Sequence, residues 1–191
     1  MSYAARFLQA RGQQCTILRT PTAPSYVSMK QSSKNSASPA IREANWYGIM
    51  PATASLISGE VLQVDEDYYL IMTVGPDPAT GELFFYAAKV NATLTLMRLD
   101  EDTDDDGNIT QEWDEVSDDI YAFGQIITAS LRQQDPGLLD VTEYVFYVAK
   151  TIGAQALDRI IYNGANYRVE SIDDVGLPGV TRLQLAVDIR P

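Results

Sequence analysis

The residues best placed to do chemistry are the acidic run Asp102, Asp104 and Asp106, followed by Gly107, Asn108 and Ile109. Carboxylates at the first, third and fifth positions, with glycine at the sixth and an apolar residue at the eighth, match the start of a calcium loop, because a chain curling around one cation can aim alternate oxygens at it. The twelfth position, where a bidentate Glu belongs, is Trp113, and Glu112 is one residue short. Two readings stay open: a calcium site, or a solvated acidic turn. The paired carboxylates Glu66–Asp67 and Asp173–Asp174 fall in expected turns, where Asp bonds to nearby backbone. Asp158–Arg159 and Asp188–Arg190 read as ion pairs at a barrel rim. The turn Gly75–Gly81 lacks the Lys-Ser/Thr pair of a phosphate loop.

What is missing bounds the chemistry further. The 191 residues contain no histidine and one cysteine, Cys15. The commonest general base, the commonest zinc ligand and the usual catalytic triads are therefore absent. Cys15 reads as a small buried apolar residue, and a single cysteine suits a reducing compartment. We expect no enzyme and no cofactor beyond the calcium in question. No apolar run reaches a membrane span, the first residues lack the apolar stretch of a signal peptide, and no membrane partner is expected.

Charge is high and uneven. The formal net charge is −12, which repels DNA on average. From Arg19 to Arg42 there are four basic residues and no acidic one; from Asp100 to Asp119 there are eleven acidic residues and no basic one. One segment docking on the other, within or between subunits, is one reading, and two solvated loops of opposite sign is the other.

The elements that must carry these residues are mainly strands. Ser58–Asn91 reads as a three-stranded meander: Val61–Val64, an acidic turn, Tyr68–Val74, a Pro/Gly turn, and Leu83–Val90. Leu157–Arg190 repeats that order. Laid on the first meander without a gap, it places Ile160 on Leu62, Tyr167 on Tyr69, Val169 on Ile71, Gly179 on Gly81 and Leu183 on Phe85. Ser2–Arg11 reads as a short helix stopped by Gly12. Cys15–Arg19, Asn91–Leu99, Tyr121–Arg132 and Tyr144–Ala149 read as further strands. Thr20–Pro39 is rich in Ser, Thr, Pro and Lys and reads as either a disordered segment or a polar arm that orders against a neighbour, with a strand flank where Tyr26, Val27 and Met29 alternate weakly with Ser25, Ser28 and Lys30. Trp46 reads as a core anchor or as a stacking surface.

The expected fold is all-β: two small β-barrel or sandwich-like units with a short N-terminal helix and a long extended arm. The expected divisions are 1–99 (helix, arm at 20–40 and first unit), an acidic linker at 100–119, and a second unit at 120–191. The residues expected to touch a neighbour are Tyr26, Lys30, Lys34, Arg42 and Trp46.

Three stretches carry a resemblance. They are FLQARGQQCTILRTP with SYVSMKQSSK, then SLISGEVLQVDEDYYLIMTVGPDPATGELFFYAAKVNA, then LRQQDPGLLD with LDRIIYNGANYRVESIDDVGLPGVTRLQLAVDIRP. Together they resemble tailed-bacteriophage neck proteins, the head-completion or head-closure (stopper) group. The family's usual member is about one such barrel, and this chain departs from it with two related units and an acidic linker. The resemblance implies a structural virion protein without chemistry, assembled in the bacterial cytoplasm. It would form a six- or twelve-fold ring of itself between portal or adaptor proteins and tail proteins. Double-stranded DNA would pass through the ring without sequence readout. Other positions consistent with it are a tail terminator, tail tube or baseplate adaptor. Outside that family, the residues leave a ligand- or carbohydrate-binding β module, with Trp46 and Trp113 as its platform.

Overall fold

A computed structural model describes residues 3–32, 45–103 and 109–190. Two closed barrels of six strands each make up the fold. Helix α1 (Tyr3–Arg11) precedes β1 (Gln13–Leu18), β2 (Ala23–Gln31) and β3 (Asn45–Met50). A short 3-10 turn leads to β4 (Val61–Val64), β5 (Asp67–Pro76) and β6 (Leu83–Lys89). The second barrel follows at once with β7 (Ala92–Thr103), β8 (Ile109–Ile126), helix α2 (Ala129–Gln134) and β9 (Tyr144–Ala149). Another 3-10 turn leads to β10 (Arg159–Tyr162), β11 (Ala165–Leu177) and β12 (Val180–Val187).

The barrels share one topology. Around the first the order is β1-β2-β3-β6-β5-β4, and around the second β7-β8-β9-β12-β11-β10. The registers match as well. Leu62 pairs with Tyr69, Ile71 with Ala87 and Gly48 with Phe85; 98 positions on, Ile160 pairs with Tyr167, Val169 with Leu185 and Phe146 with Leu183. The bulge between Ile71 and Thr73 recurs between Val169 and Ser171. The gapless alignment read from sequence is therefore the structural repeat. The offset of 98 holds over β3–β6 and β9–β12, four of the six strands of each barrel. In the first two strands β1 maps to β7 at 79 positions (Cys15 to Leu94), and β2 to β8 at 95 (Ser25 to Ile120).

Alternation fills each interior. Ile17, Val27, Leu62, Ile71 and Phe85 line the first core, and Leu96, Phe146, Ile160, Val169 and Leu183 the second. Each such side chain contributes about 1.5–3 kcal/mol on burial. A strand glycine makes room for the largest fully buried side chain in each barrel: Phe85 lies over Gly48, and Phe146 over Gly124.

Four expectations change. The polar arm expected at 20–40 is, over 23–31, the stave β2, hydrogen-bonded between β1 and β3. Only Val27 and Met29 are large enough to signal its inward face, which is why the stretch reads as polar. The boundary also moves: β7, expected in the first unit, belongs to the second barrel, so the units meet at Val90–Asn91. The acidic stretch is no linker. Its described residues continue β7 and β8 as a two-stranded ribbon beyond the barrel wall, after register shifts between Leu94 and Met97. Finally, Tyr121–Arg132 is strand only to Ile126. Thr128 then caps α2 through a bond from the Leu131 amide to its hydroxyl.

The barrels join through unlike faces. The first presents Leu18, Val61, Tyr68, Leu70 and Met72; the second presents Tyr121, Phe123, Tyr147, Leu177 and Val180. Tyr68 and Tyr121 stack at 4.5 Å. Burial, then a hydrogen bond with the Tyr68 hydroxyl, pushes the Tyr121 phenol above its ordinary value.

Candidate assembly surface

Of the carboxylates that sequence alone offers for chemistry, Asp173, Asp158 and Asp188 are used structurally, and so is Asp77. The Thr80 and Ala79 amides donate to Asp77, and the Val175 and Gly176 amides to Asp173, so each closes a turn and its carboxyl is held below its usual range. The rim ion pairs form with partly different partners. Arg98 donates twice to Asp158, while Arg159 and Arg190 both donate to Asp188. Burial opposes the charge on Asp188, but the bonds from Arg190 and Arg159 outweigh it and hold its carboxyl well below the carboxylate range. Trp113 of the acidic ribbon lies across this cluster, 3.7 Å from the Arg159 guanidinium and 4.8 Å from that of Arg190. Trp113 thus anchors the ribbon and is not an open platform.

Among the described residues, no group of three or more His, Cys, Asp or Glu could hold a metal. The backbone of Asp102 pairs with Thr110 in the ribbon, so strands flank the acidic turn. Asp104 and Asp106 lie outside the described residues, and so do Lys34 and Arg42.

The remaining contact residues sit on β2 and β3 with different roles. Trp46 packs against the first core, edge-on to Tyr69 at 5.3 Å, so it acts as the core anchor. Tyr26 and Lys30 alternate with the inward Val27 and Met29 and so lie on the outer wall. The Lys30 ammonium sits 5.2 Å from the Tyr47 ring. Tyr47 lies 6.1 Å from Phe84, which meets Tyr86 edge-on at 5.2 Å, and Tyr86 is 50% exposed. This outer wall holds two shallow hollows, one of about 350 Å3 on β2, β3 and β6 and one of about 380 Å3 on β5 and β6, both bordered by Phe84. A deeper one of about 630 Å3 opens below Tyr26 against α1, lined by Ala5, Pro24, Pro51, Ala52 and Gly81.

The second barrel shows what such a wall looks like when covered. The counterparts of Phe84 and Tyr86 are Arg182 and Gln184. Arg182 pairs with Asp135, and Gln184 bonds to Gly137, Leu139 and Thr142, all in the segment after α2. The counterparts of Ser28 and Ile49, Phe123 and Tyr147, are buried or half-buried in the joint. Sequence reading named Tyr26 and Lys30 as contacts on an extended arm, which the structure turns into this wall, and did not name Tyr47, Phe84 and Tyr86 as contacts. Their signal was available: Tyr47 and Ile49 alternate with Trp46 and Gly48, and Phe84 and Tyr86 with Leu83 and Phe85.

No family model matches this chain. No curated protein matches it either. Among solved structures, the apo structure of K. pneumonia MrkH aligns at 5% identity and a TM-score of 0.22, covering 98% of this chain and 83% of that one. A second MrkH crystal structure aligns at 6% identity and a TM-score of 0.21, covering 97% and 81%. Similarity at this level carries no argument about fold or function.

Proposed function

We propose that this chain is a structural virion protein of a tailed phage, forming a homo-oligomeric ring in the neck that joins the portal to the tail and surrounds the DNA channel. The observation that carries the reading is the duplicated barrel joined through unlike faces, with an aromatic outer wall on the first barrel that the joint does not cover among the described residues. Unlike-face contacts extend into rings when the rotation closes. A net charge of −12 suits a conduit through which DNA slides without adhering. Asp77 and Asp173 close turns and Asp158 and Asp188 hold ion pairs, which supports a role without catalysis.

The test is the composition of phage particles carrying this chain. Quantitative mass spectrometry should count copies in multiples of six, and gold-labelled antibody should mark the head–tail junction. Label along the tail or at its tip would place the chain among tube, terminator or baseplate proteins, and absence from particles would defeat the structural reading. The hollow below Tyr26 favours one further reading, a small-ligand module, since about 630 Å3 is within the range of ligand pockets. Under that reading the purified chain stays monomeric.

A further inference from the structure

We propose that copies of this chain pack head to tail through the same two kinds of face that join its barrels, with Leu157 of one copy seated in the hollow beside Gly81 of the next. This rests on the reading of the chain as self-assembling, and it names the surface.

In the joint, the first barrel presents the β4–β5 side and the second presents β8, β9 and the β11–β12 turn. Each barrel therefore has one face that the joint does not use, and the repeat identifies its residues. On the first barrel the counterparts of Tyr121, Gly179 and Val180 are Tyr26, Gly81 and Glu82. On the second, the counterparts of Gly59, Val61 and Leu70 are Leu157, Arg159 and Arg168. Gly59 and Leu157 share a backbone state: φ is 89° and 72°, and their amides donate to Ile71 and Val169, residues 98 positions apart.

The changes between the used and unused faces are complementary in shape. A Cβ added to Gly59 would lie 2.0 Å from the Gly179 carbonyl oxygen, so the joint has no room for a side chain there. At the unused faces one glycine has become a projecting leucine, 59% exposed in a left-handed conformation that disfavours it. The other, Gly81, has nothing within 4 Å of an added Cβ and borders the hollow of about 630 Å3. A knob thus faces a hole where the joint has backbone on backbone. Ala5, Pro24, Tyr26, Pro51 and Ala52 give that hole apolar walls suited to a leucine.

Charge plays no part in the contact: where Val180 meets Val61 and Leu70, the counterparts Glu82 and Arg159 are buried, 3% and 6% exposed, and held within the chain by the Ala52 amide and Asp188, while Arg168 pairs with Glu170. The occupant is a second copy because the chain already fits these two kinds of face to each other once.

The test uses the full chain. In a Thr53→Cys/Leu157→Cys double variant, mild oxidation should give a ladder of covalent multimers, while each single variant gives none beyond a dimer. Cys15 is buried and takes no part. Leu157→Gly should weaken association at least tenfold by light scattering, yet leave the thermal midpoint equal or higher, because glycine suits that φ. If the chain assembles but Leu157→Gly associates as before and no ladder forms, this contact is overturned while self-assembly stands. If the wild-type chain is a monomer at every concentration and no ladder forms, both the contact and the self-assembly reading fall.

Discussion

Gly59 and Gly179 meet backbone to backbone, and that contact fixes how the two barrels sit. Both have positive φ, 89° and 79°, and a Cβ added to Gly179 would lie 2.2 Å from the Ser58 carbonyl oxygen. Gly81 holds the same place in the first barrel with similar φ, but stands in open space. Alanine at Gly81 should therefore cost about 1–2 kcal/mol, the left-handed penalty alone. Alanine at Gly179 should cost more, about 2–4 kcal/mol, because the joint must also shift. Urea midpoints of the two variants check the order, and equal losses would contradict it.

The ring-over-glycine pairs predict a rescue. A Cβ added to Gly124 would lie 2.2 Å from the Phe146 ring, so Gly124→Ala should destabilise by about 1–3 kcal/mol through overpacking. Phe146→Leu alone leaves a void beside Gly124. Combined, the two changes should recover part of each loss, giving a non-additive cycle in urea unfolding.

Asp188 sets an acid limit. Its folded carboxyl titrates below the ordinary value of about 3.9, so its stabilising share is complete above that pH and is lost as pH falls toward the lowered folded value. Between pH 7 and about 4.5 the difference between wild type and Asp188→Asn should stay constant; below about 3.9 it should shrink. At neutral pH the variant should lose about 3–5 kcal/mol, because Arg159 stays buried without its counter-charge. Denaturant midpoints across pH measure both effects.

Cys15 reports opening of the first barrel. Burial pushes its thiol up to about 12, against a small opposing effect of a backbone hydrogen bond at Ser25. A thiol reagent at pH 8 should label it only as fast as the barrel opens, and labelling should quicken steeply in urea. The raised value also means that stability falls as pH rises above the ordinary thiol range, where the unfolded thiol ionises and the folded one does not. Immediate labelling of the folded chain would contradict this placement.

Much of this fold is legible in the sequence because the later strands of the two barrels keep one offset, bulge included. Leu62, Tyr69, Ile71 and Phe85 recur as Ile160, Tyr167, Val169 and Leu183 with no insertion. The first two strands of each barrel hide the repeat. β1 and β7 differ from the later strands in offset, and the acidic ribbon interrupts β7–β8 where the first barrel has only a short turn between β1 and β2. β2 reads as a polar arm because its outward residues include Pro24, Ser28 and Lys30, while pairing to both neighbours is invisible in one strand's pattern. For the same reason, removing 22–31 should unfold the first barrel: it takes out a stave carrying the fully buried Val27. Loss of cooperative unfolding for that half, measured by circular dichroism, is the expected result.

The assembly surface is legible only by comparing the halves. Nothing in Leu157 or Gly81 alone marks them; their meaning comes from Gly59 and Gly179, which show where two such barrels touch. Tyr47, Phe84 and Tyr86 likewise look like ordinary strand aromatics until Arg182 and Gln184 show the same wall covered.

The most direct test of the central claim is the size of the purified full-length chain, by native mass spectrometry and negative-stain microscopy over a concentration series. The account predicts closed rings of six or twelve subunits with a central opening. A chain that remains a monomer across the whole series would contradict it.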